Sequence, residues 1–438
     1  MALSFVYGAV IARALGPSDR GIFAMLVLTP SLLLVISDCG IPAANVHIPN
    51  HYSELPRPAI VAANILLVTL LSAVMVVAIA IWLIWFRYTL GMSQLRTDWI
   101  VLTCALAVSQ LVARVTSYLT LGFGHTTAFS LGETFRSVTV FIVVISVAAL
   151  SSISLNITIA LAAFVTANLV VCAWSAWWIL RDVPKPDSEA KPTLLSHMVP
   201  HTLSAMKELI RFGIRTIPNN LVWTLLQRID RFIMVNMLDP AAVGVYAVAS
   251  SLAEAYRVFP DSIGLIIFGP LSGMTKDRRS KTLALATRAA FWLMAGPIVL
   301  SMLVASPLVR VVYSEQYSQA VLPFNILLLG TLALGHASIT GYAFVSAGRP
   351  EFLGMINLGS LLINVLANLA LIPHFGVSGA AWASVAAYLF SAIVTMILIV
   401  RRWGVSWQSY LVPTNKDFNR LMSFAGVNHR LRRPTDVS

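Results

Sequence analysis

LGPSDRGIFA, residues 15–24, returns as LDPAAVGVYA at residues 238–247, and the reading of the fold starts from that recurrence. Leu15, Pro17, Gly21 and Ala24 are matched by Leu238, Pro240, Gly244 and Ala247, and Phe23 by Tyr246. The same offset of 223 residues sets Asp38 against Asp261, so the register holds over 24 positions. A second echo, at an offset of 224, sets Tyr118 and Gly124 against Tyr342 and Gly348. The chain therefore reads as two copies of one unit in tandem.

What lies around the repeat is apolar. Of 438 residues, 58% are hydrophobic and 11% charged, and the mean hydropathy is +0.81. A soluble domain carries roughly 25% charged residues. A soluble fold of this length could not hide so much apolar surface, so lipid must be part of the solvent. A membrane-crossing helix needs about 20 mostly apolar residues. The short alternating strands of a membrane barrel are missing from the pattern. Breaks at Pro, Gly and charge clusters divide the chain into spans 1–13, 21–46, 59–86, 98–122, 128–150, 154–180, 209–237, 241–272, 282–305, 320–346, 352–373 and 377–400.

These spans predict an all-α integral membrane protein of about 12 transmembrane helices, in two six-helix bundles. The domains are 1–180, a cytoplasmic linker at 181–208, 209–401, and a basic cytoplasmic tail at 402–438. Each copy holds an even number of helices, so both begin on the same side of the membrane. That makes a parallel repeat about a pseudo-twofold along the membrane normal, a plan typical of secondary transporters. Met1 corresponds to position 224, inside the seventh helix, so the first helix is expected to be truncated or the true start to lie upstream.

The net charge of +12 fits a membrane protein rather than a nucleic-acid binder, because cytoplasmic loops concentrate Lys and Arg. Arg57, Arg181, Arg278, Arg279, Arg349 and the tail fall on one side, against Arg13, Arg20, Arg87, Arg96 and Arg310 on the other. This places both termini in the cytoplasm. Trp174, Trp177 and Trp178 then mark the inner interface. Cys39, Cys104 and Cys172 sit in apolar segments without disulfide or metal-ligand spacing. No cleavable signal peptide is evident.

Charges inside spans point to function, since each costs about 2.5–3.5 kcal/mol at a helix centre on insertion scales. Arg114 lies in the fourth span, and Glu133 with Arg136 in the fifth. Arg215, Arg228, Asp230 and Arg231 lie in the seventh. Glu254, Arg257 and Asp261 form one stripe of the eighth. Glu133–Arg136 and Glu254–Arg257 also fit intrahelical ion pairs, and Asp230 and Arg231 could snorkel to an interface. Arg stays charged at any relevant pH. Six embedded arginines against five acids, Asp38 included, make a modestly cationic cavity suited to a phosphate. Pro30, Pro218, Pro260 and Pro297 predict bends or hinges, and His336 an interior hydrogen-bonded histidine. No phosphate-binding loop, His-Glu-x-x-His or Cys pair occurs, so neither ATP hydrolysis nor a metal is expected. No cofactor and no enzymatic activity are expected either.

Three blocks resemble a known family. IARALGPSDRGIFAM (residues 11–25) resembles the opening of the Wzx-type polysaccharide flippases. LIRFGIRTIPNNLVWTLLQRIDRFIMVNMLDPAAVGVYAVASSL (209–252) resembles the start of their second half. GYAFVSAGRPEFLGMINLGSLLINVLANLALIPHFGVSGAAWASVAAY (341–388) resembles their last helices. The resemblance implies the multidrug/oligosaccharidyl-lipid/polysaccharide exporter superfamily and its MATE-like fold. It implies a flippase that carries polyprenyl-diphosphate-linked oligosaccharide to the outer leaflet of the inner membrane by alternating access. Arg114, Arg136, Arg228 and Arg257 would bind the diphosphate, with Glu133, Asp230, Glu254 and Asp261 coupling or gating. A polysaccharide polymerase and glycosyltransferases are expected partners. A multidrug or cation antiporter and a lipid-linked peptidoglycan precursor flippase are the alternatives.

Overall fold

The computed structural model describes residues 2–52, 54–89, 95–150, 154–182, 191–272, 274–347, 349–403 and 408. The charged centre of the expected linker, Gly348 of the second echo, and the tail beyond Trp403 save Gln408 lie outside them. Every described element is helical: α1 (Ala2–Ser37), α2 (Ile41–His51), α3 (Arg57–Thr89), α4 (Thr97–Gly122), α5 (Thr126–Ala149), α6 (Ile157–Asp182), α7 (Lys191–Ile214), α8 (Ile217–Met237), α9 (Pro240–Glu254), α10 (Val258–Ser272), α11 (Lys276–Leu303), α12 (Ala305–Tyr313), α13 (Val321–Ser346) and α14 (Pro350–Trp403). The expected spans fall mostly on helix, but the second is broken by a turn at 38–40 and the seventh by one at 215–216. Eight of the described helices are long and apolar enough to cross a membrane.

Breaks occur where the backbone requires them. Gly16 (φ 70°) divides α1 directly before Pro17, and Gly376 (φ 55°) divides α14 three residues after Pro373. A proline lacks an N–H and its ring clashes with the carbonyl four residues back. Pro218 stands four residues after Ile214, where α7 ends. Pro260 stands four after Tyr256, which lies in the 3-10 turn Ala255–Arg257 between α9 and α10. The eighth span is thus two helices rather than one continuous stripe, and Arg257 sits in the joint. Most of the connection expected at 181–208 is likewise part of a helix, α7.

The chain forms two compact units, Met1–Ala247 with Val312–Gln316, and Val248–Val311 with the remainder. In the first, α4 packs on α6, α2 and α3, α5 on α6 and α1, and α8 on α1. Much of α3 faces outward through Ile65, Leu66, Leu70, Val74, Val77 and Ile81. Six such side chains left in water would forgo on the order of 10 kcal/mol, and facing lipid removes that penalty. A buried amide pair closes the inside: Asn45 donates to Asn64 at 2.9 Å, Asn64 donates back at 3.0 Å, and Asn45 also donates to the Val115 carbonyl at 3.2 Å. Three helices, α2, α3 and α4, are tied there. In the second unit α13 is the central element, packed by α10, α11 and α14.

The two copies of the repeat motif meet inside the first unit. A Cβ on Gly21 would stand 1.7 Å from the Pro240 carbonyl oxygen, and one on Gly244 would stand 2.0 Å from that of Pro17. The contact is reciprocal under the 223-residue offset. Glycine is required on both sides because backbone meets backbone.

Candidate functional site

One end of the first unit carries the basic and aromatic groups that the sequence assigns to a common face. Arg57 and His125 both reach Asp182, at 3.1 and 2.8 Å, while Arg181 lies over Trp177 at 4.2 Å. The other end holds Arg96 with Asp98 at 3.0 Å and Trp99 donating to Thr158. Between them lies an open cavity of about 640 Å³ lined by α1, α4, α5 and α6.

Each wall is a helical stripe. α4 contributes Gln110, Arg114, Ser117 and Tyr118, in steps of four, three and one. α5 contributes Phe129, Glu133 and Arg136, and α6 Phe164 and Asn168. Ser31 and Leu34 of α1 complete it. Tyr118 and Phe129 meet edge to face with centroids 5.3 Å apart. Phe164 is held by Tyr7 and Phe23, the latter within the repeat motif. Asn168 donates to Ser109.

The charges here are balanced. Arg114 Nε lies 3.4 Å from Asp38, whose side chain is 4% exposed. Asp38 occupies the turn between α1 and α2, where Cys39 and Gly40 take positive φ and Asp38 accepts the Gly40 N–H at 2.8 Å. Gly213 of α7 presses against this turn, each glycine leaving no room for a Cβ on the other. Arg136 donates to Glu133 at 3.1 Å on the same helix. Donors remain unused on both arginines. Arg136 Nε is buried without an acceptor, and the terminal nitrogens of Arg114 make no further bond among the described residues.

Three of the eight sequence-selected residues, Arg114, Glu133 and Arg136, therefore converge on one cavity; the other five do not line it. Arg228 and Asp230 lie on α8. Asp230 is 5% exposed and accepts hydrogen bonds from Tyr246 Oη and the Arg231 backbone N–H, so it anchors the repeat motif. Glu254, Arg257 and Asp261 belong to the second unit, where Arg257 Nη2 stands 3.9 Å from Asp261. Asp261 also accepts from Ser338 Oγ at 2.7 Å. Under the two offsets Asp261 matches Asp38 and Ser338 matches Arg114, so the matching contact is kept with a hydroxyl in place of the guanidinium.

Sequence reasoning missed Gln110, Tyr118, Phe129, Phe164 and Asn168 as wall residues. The signal existed: polar or aromatic groups repeat every three or four positions through otherwise apolar α4, α5 and α6. Among the described residues no cluster of three His, Cys, Asp or Glu side chains is placed to hold a metal, and the three cysteines are free.

This is a multi-pass membrane protein with the transporter fold of the multidrug and lipid exporters. The chain superimposes on an inward-facing MATE-family multidrug transporter of the MOP superfamily with a TM-score of 0.68, at 15% identity over 92% of this chain and 94% of that one. On the lipid II flippase MurJ the TM-score is 0.67, at 12% identity over 99% and 91%. At the level of sequence the chain belongs to the polysaccharide biosynthesis protein family, whose model matches residues 1–267. A Shigella flexneri protein named as a candidate O-antigen transporter is 21% identical over 254 residues, and the match spans 58% of each protein.

Proposed function

We propose that this protein is a flippase that moves polyprenyl-diphosphate-linked oligosaccharide from the cytoplasmic to the outer leaflet, for surface polysaccharide biosynthesis. Family membership and the likeness to an O-antigen transporter support the reading. The observation that carries it is a cavity inside a lipid-facing helical unit, with Arg114 and Arg136 on its wall and the terminal nitrogens of Arg114 in no other bond among the described residues. A headgroup dianion there would gain charge-assisted hydrogen bonds in a setting of low dielectric. Arg228 and Arg257 supply further positive groups along the path. Glu133, Asp230, Glu254 and Asp261 compete with substrate for the arginines and gate its release. The polyprenyl tail stays in lipid, and transport proceeds by alternating access without covalent chemistry. We place the protein in the inner membrane with both termini cytoplasmic, beside the glycosyltransferases and polymerase that make and use its substrate.

The test is glycan export in a host deleted for the gene. The wild-type gene restores surface glycan. Arg114→Ala and Arg136→Ala abolish it, and Lys at either position retains part. Surface glycan at wild-type level with both Ala variants would overturn the assignment of these arginines, and the same result with Arg228→Ala and Arg257→Ala would remove them too.

A further inference from the structure

The cavity is built for more than a diphosphate. Its two arginines face two carboxylates, Asp38 and Glu133, so the local charge balances. The arginine donors can still hold a diphosphate by direct hydrogen bonds, but the balanced field adds little long-range attraction for an anion. At about 640 Å³ the space falls in the range of sites for drug-sized ligands, about 300–1,000 Å³. Tyr118, Phe129 and Phe164 add flat apolar surface. The Gln110 amide, which makes no hydrogen bond among the described residues, and the Arg136 guanidinium add polar groups beside that surface. Glu133, about half exposed, offers two oxygens to neighbouring hydroxyls and repels a free phosphate. Aromatic faces next to amide, guanidinium and carboxylate groups match a pyranose ring, which shows an apolar C–H face and a rim of hydroxyls.

We propose that this cavity binds the sugar unit next to the diphosphate, with Phe129 and Tyr118 as the stacking surface and Gln110 reading its hydroxyls. Arg114 and Arg136 then serve the diphosphate. The proposal rests on the flippase reading and assigns the part of that substrate which the first unit recognises. It makes the sugar, and not only the lipid diphosphate, a source of selectivity.

Two probes separate these contributions: undecaprenyl diphosphate, and the lipid-linked oligosaccharide that accumulates when the gene is deleted in its own host. Binding is measured on the whole purified protein in nanodiscs by intrinsic tryptophan fluorescence. Wild type binds the glycosylated probe more tightly. Phe129→Ala and Gln110→Ala weaken that probe about tenfold and leave undecaprenyl diphosphate within about twofold. Phe129→Leu keeps the bulk without the aromatic face, so it shows the same selective loss if Phe129→Ala misfolds. Equal weakening of both probes, or none, would overturn the sugar assignment while leaving the flippase reading in place. Failure of wild type to bind either probe would sink both.

Discussion

Gly21→Ala tests the contact between the repeat motifs. The added methyl carbon would stand 1.7 Å from the Pro240 carbonyl oxygen and 3.0 Å from the Gly244 nitrogen. A carbon tolerates an oxygen at about 3.3 Å, so the two segments must part by roughly 1.6 Å. Overpacking costs about 1–3 kcal/mol, and the upper end applies because the obstacle is backbone rather than a flexible side chain. Alanine recovers about 1 kcal/mol of helix propensity, leaving a net loss of about 2 kcal/mol. Gly8→Ala is the control, since nothing lies within 4 Å of its Cβ position. Thermal unfolding of the purified protein in detergent reads the difference as a drop of several degrees for Gly21→Ala and none for Gly8→Ala. Gly244→Ala behaves like Gly21→Ala. The double variant loses less than the two losses added, because the first methyl has already opened the space for the second. Equal unfolding temperatures for Gly21→Ala and Gly8→Ala would refute the reasoning.

Asn45→Leu strips the Asn64 side-chain oxygen of its Asn45 donor in an apolar interior, a loss of about 1–3 kcal/mol, while the Asn64 NH2 keeps the Ile60 carbonyl. The double change with Asn64→Leu recovers part of it, as the same unfolding assay would show. Tyr246→Phe removes one hydrogen bond to buried Asp230 and costs about 1.5–3 kcal/mol. Phe23 at the matching position shows that the ring alone is accepted by the motif, so loss of packing would be a surprise. Asp38→Asn keeps an acceptor for the Gly40 N–H but removes the counter-charge of Arg114. It is expected to tighten binding of undecaprenyl diphosphate and to make that binding more sensitive to salt. Weaker binding would show that Asp38 positions Arg114 rather than competing for it.

The spans were legible because hydropathy and proline or glycine breaks act locally. The joint at Arg257 was less so. Pro260 announced a bend, but whether it would kink the helix or divide it depends on how the freed Tyr256 carbonyl is accommodated. α7 was hidden for a different reason: a segment with four prolines and mixed charge carries a weak helical pattern, and its packing on α2 and α3 settles its form. Embedded charge drew attention to Arg114, Glu133 and Arg136. That Arg114 answers Asp38, 76 positions earlier, could not be read from periodicity, since pairing between helices depends on tertiary packing. The same limit kept Arg228 and Arg257 on one list with residues of a cavity they do not line.

In a symmetric pair of identical subunits, residue i meets j and j meets i. Gly21 with Pro240 and Gly244 with Pro17 keep that exchange within a single polypeptide. Neither copy of the motif is then free to drift alone. A larger residue at either glycine needs a matching retreat at the opposite proline, so these four positions should vary together among relatives while the helices between them diverge. Transplanting one ten-residue motif into the place of the other would preserve the crossing, since each already serves as the other's mould.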